Sequence, residues 1–125
     1  MSKKILIVED DRPLANLLSI SLSKVGYDTV VSYNGNEALE KLKNKNMLFD
    51  LIILDVVLPD ISGWELLTTI KQSSELKEIP VLMCTEKNLV KDVEQALSCG
   101  AVGYIIKPFD IERVIKKVGD IIGIC

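Results

Sequence analysis

Polar side chains stand where four short apolar runs stop. Ile5-Leu6-Ile7-Val8 runs into Glu9, Asp10 and Asp11, and Leu51-Ile52-Ile53-Leu54 runs into Asp55. Val81-Leu82-Met83-Cys84 ends on the hydroxyl of Thr85, and Tyr104-Ile105-Ile106 on the ammonium of Lys107. Gathered in one place, these groups are a chemical set. Two carboxylates about 4 Å apart repel by roughly 4 kcal/mol at an effective dielectric of 20, so such a cluster either retains protons or binds a cation. Mg²⁺ is a suitable cation, because it takes oxygen ligands and keeps several waters. Two carboxylates and a backbone carbonyl just past Asp55, most simply that of Val57, would suffice to hold it. Asp55 beside that ion is a carboxylate placed for in-line attack on phosphorus. The metal and Lys107 would neutralise the phosphoryl oxygens, Thr85 would donate a hydrogen bond to one of them, and the acyl phosphate would later be hydrolysed. Singly, each residue has an ordinary explanation. Asp55 reads as a turn residue or cap, Asp11 as a helix cap, Thr85 as a strand end and Lys107 as a solvated charge. Only their convergence makes a site.

The elements between them are built to bring about that convergence. Leu51 to Leu54 shows no period-2 alternation, so both faces seek burial, as in a central strand of a parallel sheet. The Ile5–Val8 run reads the same way; Thr29-Val30-Val31 is a second, short strand, and Pro80 stands at the entrance of the run that ends at Thr85. Amphipathic stretches alternate with these strands. Leu14, Leu17, Leu18, Ser21, Leu22 and Val25 recur at helical spacing before Gly26, with Pro13 in the first turn and Asp11 as cap. Ala38, Leu39 and Leu42 mark a second helix, and Trp64, Leu67 and Ile70 a third. Leu89, Val93, Ala96 and Leu97 mark a fourth, ended by Gly100. Ile111, Val114, Ile115, Val118 and Ile122 mark a fifth, weakened by Gly119 and expected to fray near Gly123. Regular alternation predicts an α/β fold: a flavodoxin-like (βα)5 three-layer sandwich on a parallel five-stranded sheet of order 2-1-3-4-5. All strand ends then lie on one edge, and strands 1, 3, 4 and 5 are neighbours there.

Composition narrows the function. The chain has 125 residues, which suits a single domain over 1–125, and 48% hydrophobic content argues against disorder. A net charge of −3 offers no broad basic surface, so no direct nucleic-acid binding is expected. No apolar run reaches the length of about 20 residues that a bilayer requires, so no membrane association is expected. The first apolar run breaks on acids and is no signal peptide. Cys84, Cys99 and Cys125 are an odd count without metal-ligand spacing, read as reduced thiols of a cytoplasmic protein. The absence of histidine removes imidazole acid/base catalysis, His-containing zinc sites and a phosphohistidine-carrier role.

The chain resembles the receiver domain of two-component response regulators, including the chemotaxis receivers, from Lys3 to Ile122. The resemblance is carried by Ile-Leu-Ile-Val-Glu9-Asp10-Asp11, Asp55-Val-Val-Leu-Pro59-Asp60-Ile-Ser-Gly63, Thr85, and Tyr104-Ile-Ile-Lys107-Pro108-Phe109. It implies that Asp55 is the phosphoacceptor in a Mg²⁺-dependent reaction, with Mn²⁺ as a substitute ion. Asp10 would bind the ion directly, Glu9 through water, and Asp55 and the Val57 carbonyl would complete the set. Asp11 falls one place past the acidic pair, which leaves it the capping role. Thr85 and Lys107 would be the switch hydroxyl and the phosphate-binding lysine, and Tyr104 the switch aromatic that swings inward as Thr85 moves. A cis bond before Pro108 is common in such domains. The implied donor is a sensor histidine kinase or a phosphotransfer protein. The implied recipient is a downstream protein or a fused output domain, controlled through the face formed by helix 4, strand 5 and helix 5. Such a domain is a regulatory switch, catalysing only its own phosphorylation and dephosphorylation.

Departures from the family pattern also carry expectations. Glu86 stands where a small residue is usual, and would narrow or repel the donor's approach. Val57 and Lys87 flank the route of attacking water, and apolar Val57 should orient none, which predicts a long-lived phosphoryl group. Val102-Gly103, with Ile105 and Ile106, would leave the helix 4–strand 5–helix 5 face unusually apolar and suited to a partner or a homodimer. The alternative is a receiver-like binding module that works without phosphorylation, which Glu86 alone favours. An FMN binder needs a Ser/Thr/Gly-rich loop after strand 1, where this chain has acids. A dehalogenase-like phosphatase needs a second acid at the position of Val57.

Overall fold

Ten elements alternate without exception through the computed structural model, which describes residues 2–123. They are β1 (Lys4–Val8), α1 (Arg12–Lys24), β2 (Asp28–Ser32), α2 (Gly35–Lys43), β3 (Leu51–Leu54), α3 (Gly63–Gln72), β4 (Val81–Thr85), α4 (Val90–Ser98), β5 (Gly103–Ile106) and α5 (Ile111–Ile122). All strand pairs are parallel and the order is β2-β1-β3-β4-β5, as the alternation predicts. Cys125 lies outside the described residues. Cys84 and Cys99 are free thiols.

The missing alternation in β1 and β3 has its reason in two cores. Successive side chains of a strand point to opposite faces. Leu6, Val8, Ile52 and Leu54 enter one core with Ala38 and Leu42 of α2, Leu66, Leu67 and Ile70 of α3, and Ala96 of α4. Ile5, Ile7, Leu51 and Ile53 enter the other with Leu18 and Leu22 of α1 and Val114 and Val118 of α5. Each fully buried leucine or isoleucine contributes roughly 1.5–3 kcal/mol, so the central strands are the best-anchored part of the molecule. Register is tight across them: Val8 pairs with Leu54, and Leu54 with Met83. The strand ends, and whatever follows them, are therefore fixed relative to one another.

Three helices start on a side-chain cap. Asp11 accepts from Leu14 N–H at 3.2 Å, Asn34 from Glu37 N–H at 2.8 Å, and Ser62 from Glu65 N–H at 3.2 Å. The fourth helix does not: its cap position is Leu89, which has no acceptor, and the Asp92 carboxylate accepts only the Leu89 N–H.

Several apolar residues lie elsewhere than their spacing predicts. Leu17 and Val25 of the α1 pattern are exposed, and Val25 is the C-cap. On α4 only Ala96 is buried, while Leu89 is 55% and Leu97 51% exposed. Ile105 is buried in the α1/α5 core, so the apolar part of the α4–β5–α5 face is made by Leu97, Val102 and Ile106 without it. The last helix runs through Gly119 unbroken, and its end is tied down. Tyr27 Oη donates to the Gly123 carbonyl at 2.7 Å, and Lys3 Nζ donates to that of Ile122.

Candidate functional site

The carboxyl edge of the sheet gathers the charged groups that the sequence strings over about a hundred residues. Lys107, just past β5, donates from Nζ to Glu9 Oε1 at 2.5 Å and to Asp55 Oδ2 at 2.7 Å. Glu9 and Asp55 are buried and the Lys107 side chain is only 11% exposed, so the three form a desolvated network rather than a surface ion pair. Asp10 stands at the open side. Carboxylate oxygens of Glu9, Asp10 and Asp55 all lie within 4.8 Å of one another.

Burial and charge act against each other here. Burial pushes the Glu9 carboxyl up to about 7, although the hydrogen bonds from Lys107 and from the Asp11 N–H pull it down. Burial works to lower Lys107, but its bonds to Asp55 and Glu9 outweigh that and hold the ammonium above its ordinary range. The Cys84 thiol beneath them is pushed up to about 12, first by burial, and is no nucleophile.

The donor set suits a hard cation. It is all oxygen, and its members are unequally free. Both Glu9 oxygens are engaged, Oε1 by Lys107 and Oε2 by the Asp11 N–H at 3.2 Å. Asp55 Oδ1 accepts the Val57 N–H at 3.0 Å. Among the described residues no hydrogen bond or ion pair engages the Asp10 carboxylate. Asp10 is thus the acid most available to a metal, and Glu9 the one better suited to act through water.

The segment after Asp55 is fastened at both ends. Gly63 N–H, at the start of α3, donates to the Val56 carbonyl at 2.7 Å. A Cβ there would lie 2.2 Å from the Asp55 carbonyl oxygen and 2.6 Å from Val56 Cα, so only glycine lets α3 begin this close. Between those ends, the two Asp60 oxygens accept the N–H groups of Gly35 and Asn36 at 2.8 Å each. The sequence marks Pro59-Asp60 as a turn and Asn34-Gly35 as another. Nothing in it joins the two across 25 positions.

The β4–α4 connection is arranged around one residue. The Lys87 N–H donates to Thr85 Oγ1 at 3.4 Å, and the Lys87 carbonyl accepts from Tyr104 Oη at 2.7 Å. Thr85 is buried, and Tyr104 is half-buried against the α2–α4 core, with its phenol pushed up to about 12, first by burial and then by Asp92 and Asp55. Val57 and Glu86 flank Asp55 around a cavity of 120 Å³. Val57 is 54% exposed, and Glu86 and Lys87 are also exposed. The Lys107–Pro108 bond is cis.

Residues 5–119 match the family model of the response regulator receiver domain. The chain is 38% identical over 115 residues to the response regulator ArlR of Staphylococcus saprophyticus, covering 92% of this chain and 50% of that protein. It is 35% identical to a probable transcriptional regulator, ycf29, of Pyropia yezoensis, covering 98% of this chain and 54% of the relative. This chain therefore spans about half the length of each. The structure of the chemotaxis response regulator CheY4 of Vibrio cholerae superposes with a TM-score of 0.89 at 30% identity, covering 97% of this chain and 99% of that one. With the βα alternation, the strand order and the acidic edge already in place, these matches show that the chain belongs to the response regulator receiver domain family.

Proposed function

We propose that Asp55 is the phosphoacceptor of this receiver domain. The observation that carries this reading is the Lys107 ammonium held on Asp55 within a pocket that already contains Glu9 and Asp10. Asp10, Asp55 and the Val57 carbonyl would hold Mg²⁺, or Mn²⁺ in its place, with Glu9 acting through water. When bound, the ion supplies Lewis-acid neutralisation of charge on the phosphoryl oxygens. The chain's own groups do the rest. An Asp55 oxygen attacks phosphorus, the bond from phosphorus to the donor imidazole nitrogen breaks, and that nitrogen keeps the electron pair. Lys107 follows the new charge, a dianion close to −2 at neutral pH. Thr85 turns its hydroxyl to a phosphoryl oxygen and gives up the Lys87 N–H. Because the Lys87 carbonyl is held by Tyr104, that loss reaches the aromatic ring and with it the α4–β5–α5 face.

The donor is a phosphohistidine on a sensor kinase or phosphotransfer protein. The recipient is a downstream protein or a fused output domain, and the face also suits a homodimer. Residues 1–125 act as one regulatory unit in the cytoplasm, without enzymatic activity beyond their own phosphoryl chemistry. No helix among the described residues is long and apolar enough to cross a membrane. Exposed Glu86 at the Asp55 cavity slows or selects the donor, and Val57 leaves attacking water unoriented.

Fluorescence of Trp64, next to Gly63 in the first turn of α3, tests the reading. Mg²⁺ should give a saturable response, and acetyl phosphate a further change that is absent in Asp55→Asn, with the added phosphoryl group seen by mass spectrometry. Glu86→Ala should speed phosphorylation, and Val57→Asn should speed hydrolysis. If intact protein gains no phosphoryl group from acetyl phosphate or from a phosphohistidine donor, the module works without phosphorylation.

A further inference from the structure

We infer that Asp60 is a positioning residue for the reaction at Asp55: by clasping the start of α2 it holds the Val57–Asp60 segment, and with it the Val57 carbonyl, in place for the metal. The inference rests on the reading that Asp55 is the acceptor and Val57 a metal ligand, and it goes beyond that reading in naming what keeps the ligand still.

The geometry is specific. Between Asp55 and Gly63 the chain has no regular structure; the Val57 N–H is held by Asp55 Oδ1, and beyond Val57 the segment depends on three side-chain anchors. Two are apolar, Leu58 and Ile61, which pack half-buried against the α2–α4 core. The third is Asp60, whose two oxygens take the two backbone N–H groups of Gly35 and Asn36. Asn34 caps only the Glu37 N–H, so Asp60 takes the two helix-start amides that Asn34 leaves and ties them to the segment after β3. The close approach runs both ways. A Cβ at Gly35 would lie 2.2 Å from Ile61 Cγ1, so α2 begins with glycine where the segment rests on it. Pro59 lies between Val57 and Asp60 and limits how far one can move without the other. An aspartate whose job was only solubility would not be bound by two backbone donors of a distant helix. One that stiffens a metal-ligand loop would be, and outer partners of metal ligands are worth about tenfold or more in affinity.

The test compares wild type with Asp60→Ala and Asp60→Asn, all as the whole chain. Three quantities are read: Mg²⁺ affinity from Trp64 fluorescence, melting temperature in chelator, and hydrogen exchange of the Gly35 and Asn36 amides. Asp60→Ala should weaken Mg²⁺ binding about tenfold and expose both amides. Asp60→Asn keeps one acceptor but turns an NH2 donor toward the other amide, so it should fall between wild type and Asp60→Ala in Mg²⁺ affinity and expose one of the two amides. A lower melting temperature with unchanged Mg²⁺ affinity would make Asp60 a structural cap and overturn the inference. So would an equal loss of Mg²⁺ affinity in both variants while Asp60→Asn keeps the two amides protected, which would assign the effect to lost charge. If wild type itself binds no Mg²⁺ and takes no phosphoryl group, the reading of the site fails first and the positioning role with it.

Discussion

Two connections on the same edge of the sheet are built in opposite ways. The one after β3, residues 55–62, is fastened at several points. Gly63 draws α3 onto the Asp55 carbonyl, Leu58 and Ile61 pack inward, and Asp60 grips α2. The one after β4 is loose. Residues 86–91 are all exposed, the cap position of α4 is a leucine, and Ala96 is the single buried residue of that helix. What ties it down is the Lys87 backbone, its N–H on Thr85 and its carbonyl on Tyr104. Elements with few buried contacts open at low free energy, and moving parts are drawn from them. The proposed acceptor therefore sits on the rigid connection and the proposed readout on the yielding one. A switch needs that division: a phosphoryl group can shift only what its differential contacts can move.

The fastened side should be the easier to break. Gly63→Ala places a methyl against backbone atoms, which cannot rotate away as a flexible side chain would. The expected loss is about 3 kcal/mol or more by urea denaturation, at the upper end of overpacking effects. Mg²⁺ binding should fall with it, since the helix start and the Asp55 loop must part. Near-wild-type stability would mean that the β3–α3 connection yields as readily as the other.

Rigid burial of acids has a price that pH should reveal. With its carboxyl raised from 4.5 to about 7, Glu9 binds more protons in the folded than in the unfolded chain between those two values. Stability in chelator should therefore fall as pH rises through that window, and level off above it, by on the order of 1–3 kcal/mol. Glu9→Gln removes the titrating group, so the difference between wild type and variant should follow this profile. A flat difference would mean that Lys107 alone neutralises Glu9 in the fold.

The two connections were also unequally legible in the sequence. Strands β1 and β3, their acids, Thr85 and Lys107 could be read because a parallel sheet puts every strand end on one edge. The signals needed, an apolar run and the residue after it, are local. The observed strand order and the Lys107 bridge follow from that. Asp60 could not be read, because its meaning lies in two amides of another helix. Nor could the exposure of α4. Leu89, Val93, Ala96 and Leu97 have the spacing of a buried face, and only the neighbours decide whether anything covers it. Ile105 and Ile106 are adjacent and chemically alike, yet one is buried in the α1/α5 core and the other 37% exposed, because β5 is an edge strand whose two faces meet different neighbours.

The smallest expected effect sharpens the comparison from the loose side. Leu89→Ser gives α4 the side-chain acceptor that the other helix starts named above have, placed to take the Asp92 N–H. Little burial is lost, since Leu89 is more than half exposed. A gain of about 0.5–1 kcal/mol is expected, seen as slower hydrogen exchange in the first turn of α4, with Mg²⁺ affinity unchanged because the proposed metal ligands lie on the other connections. If the looseness of α4 serves the switch, the same variant should also blunt the phosphorylation-dependent change at Tyr104. Unchanged exchange would trace the weakness of α4 to its single buried side chain instead of to its missing cap, and filling its exposed face would then be the way to stiffen it.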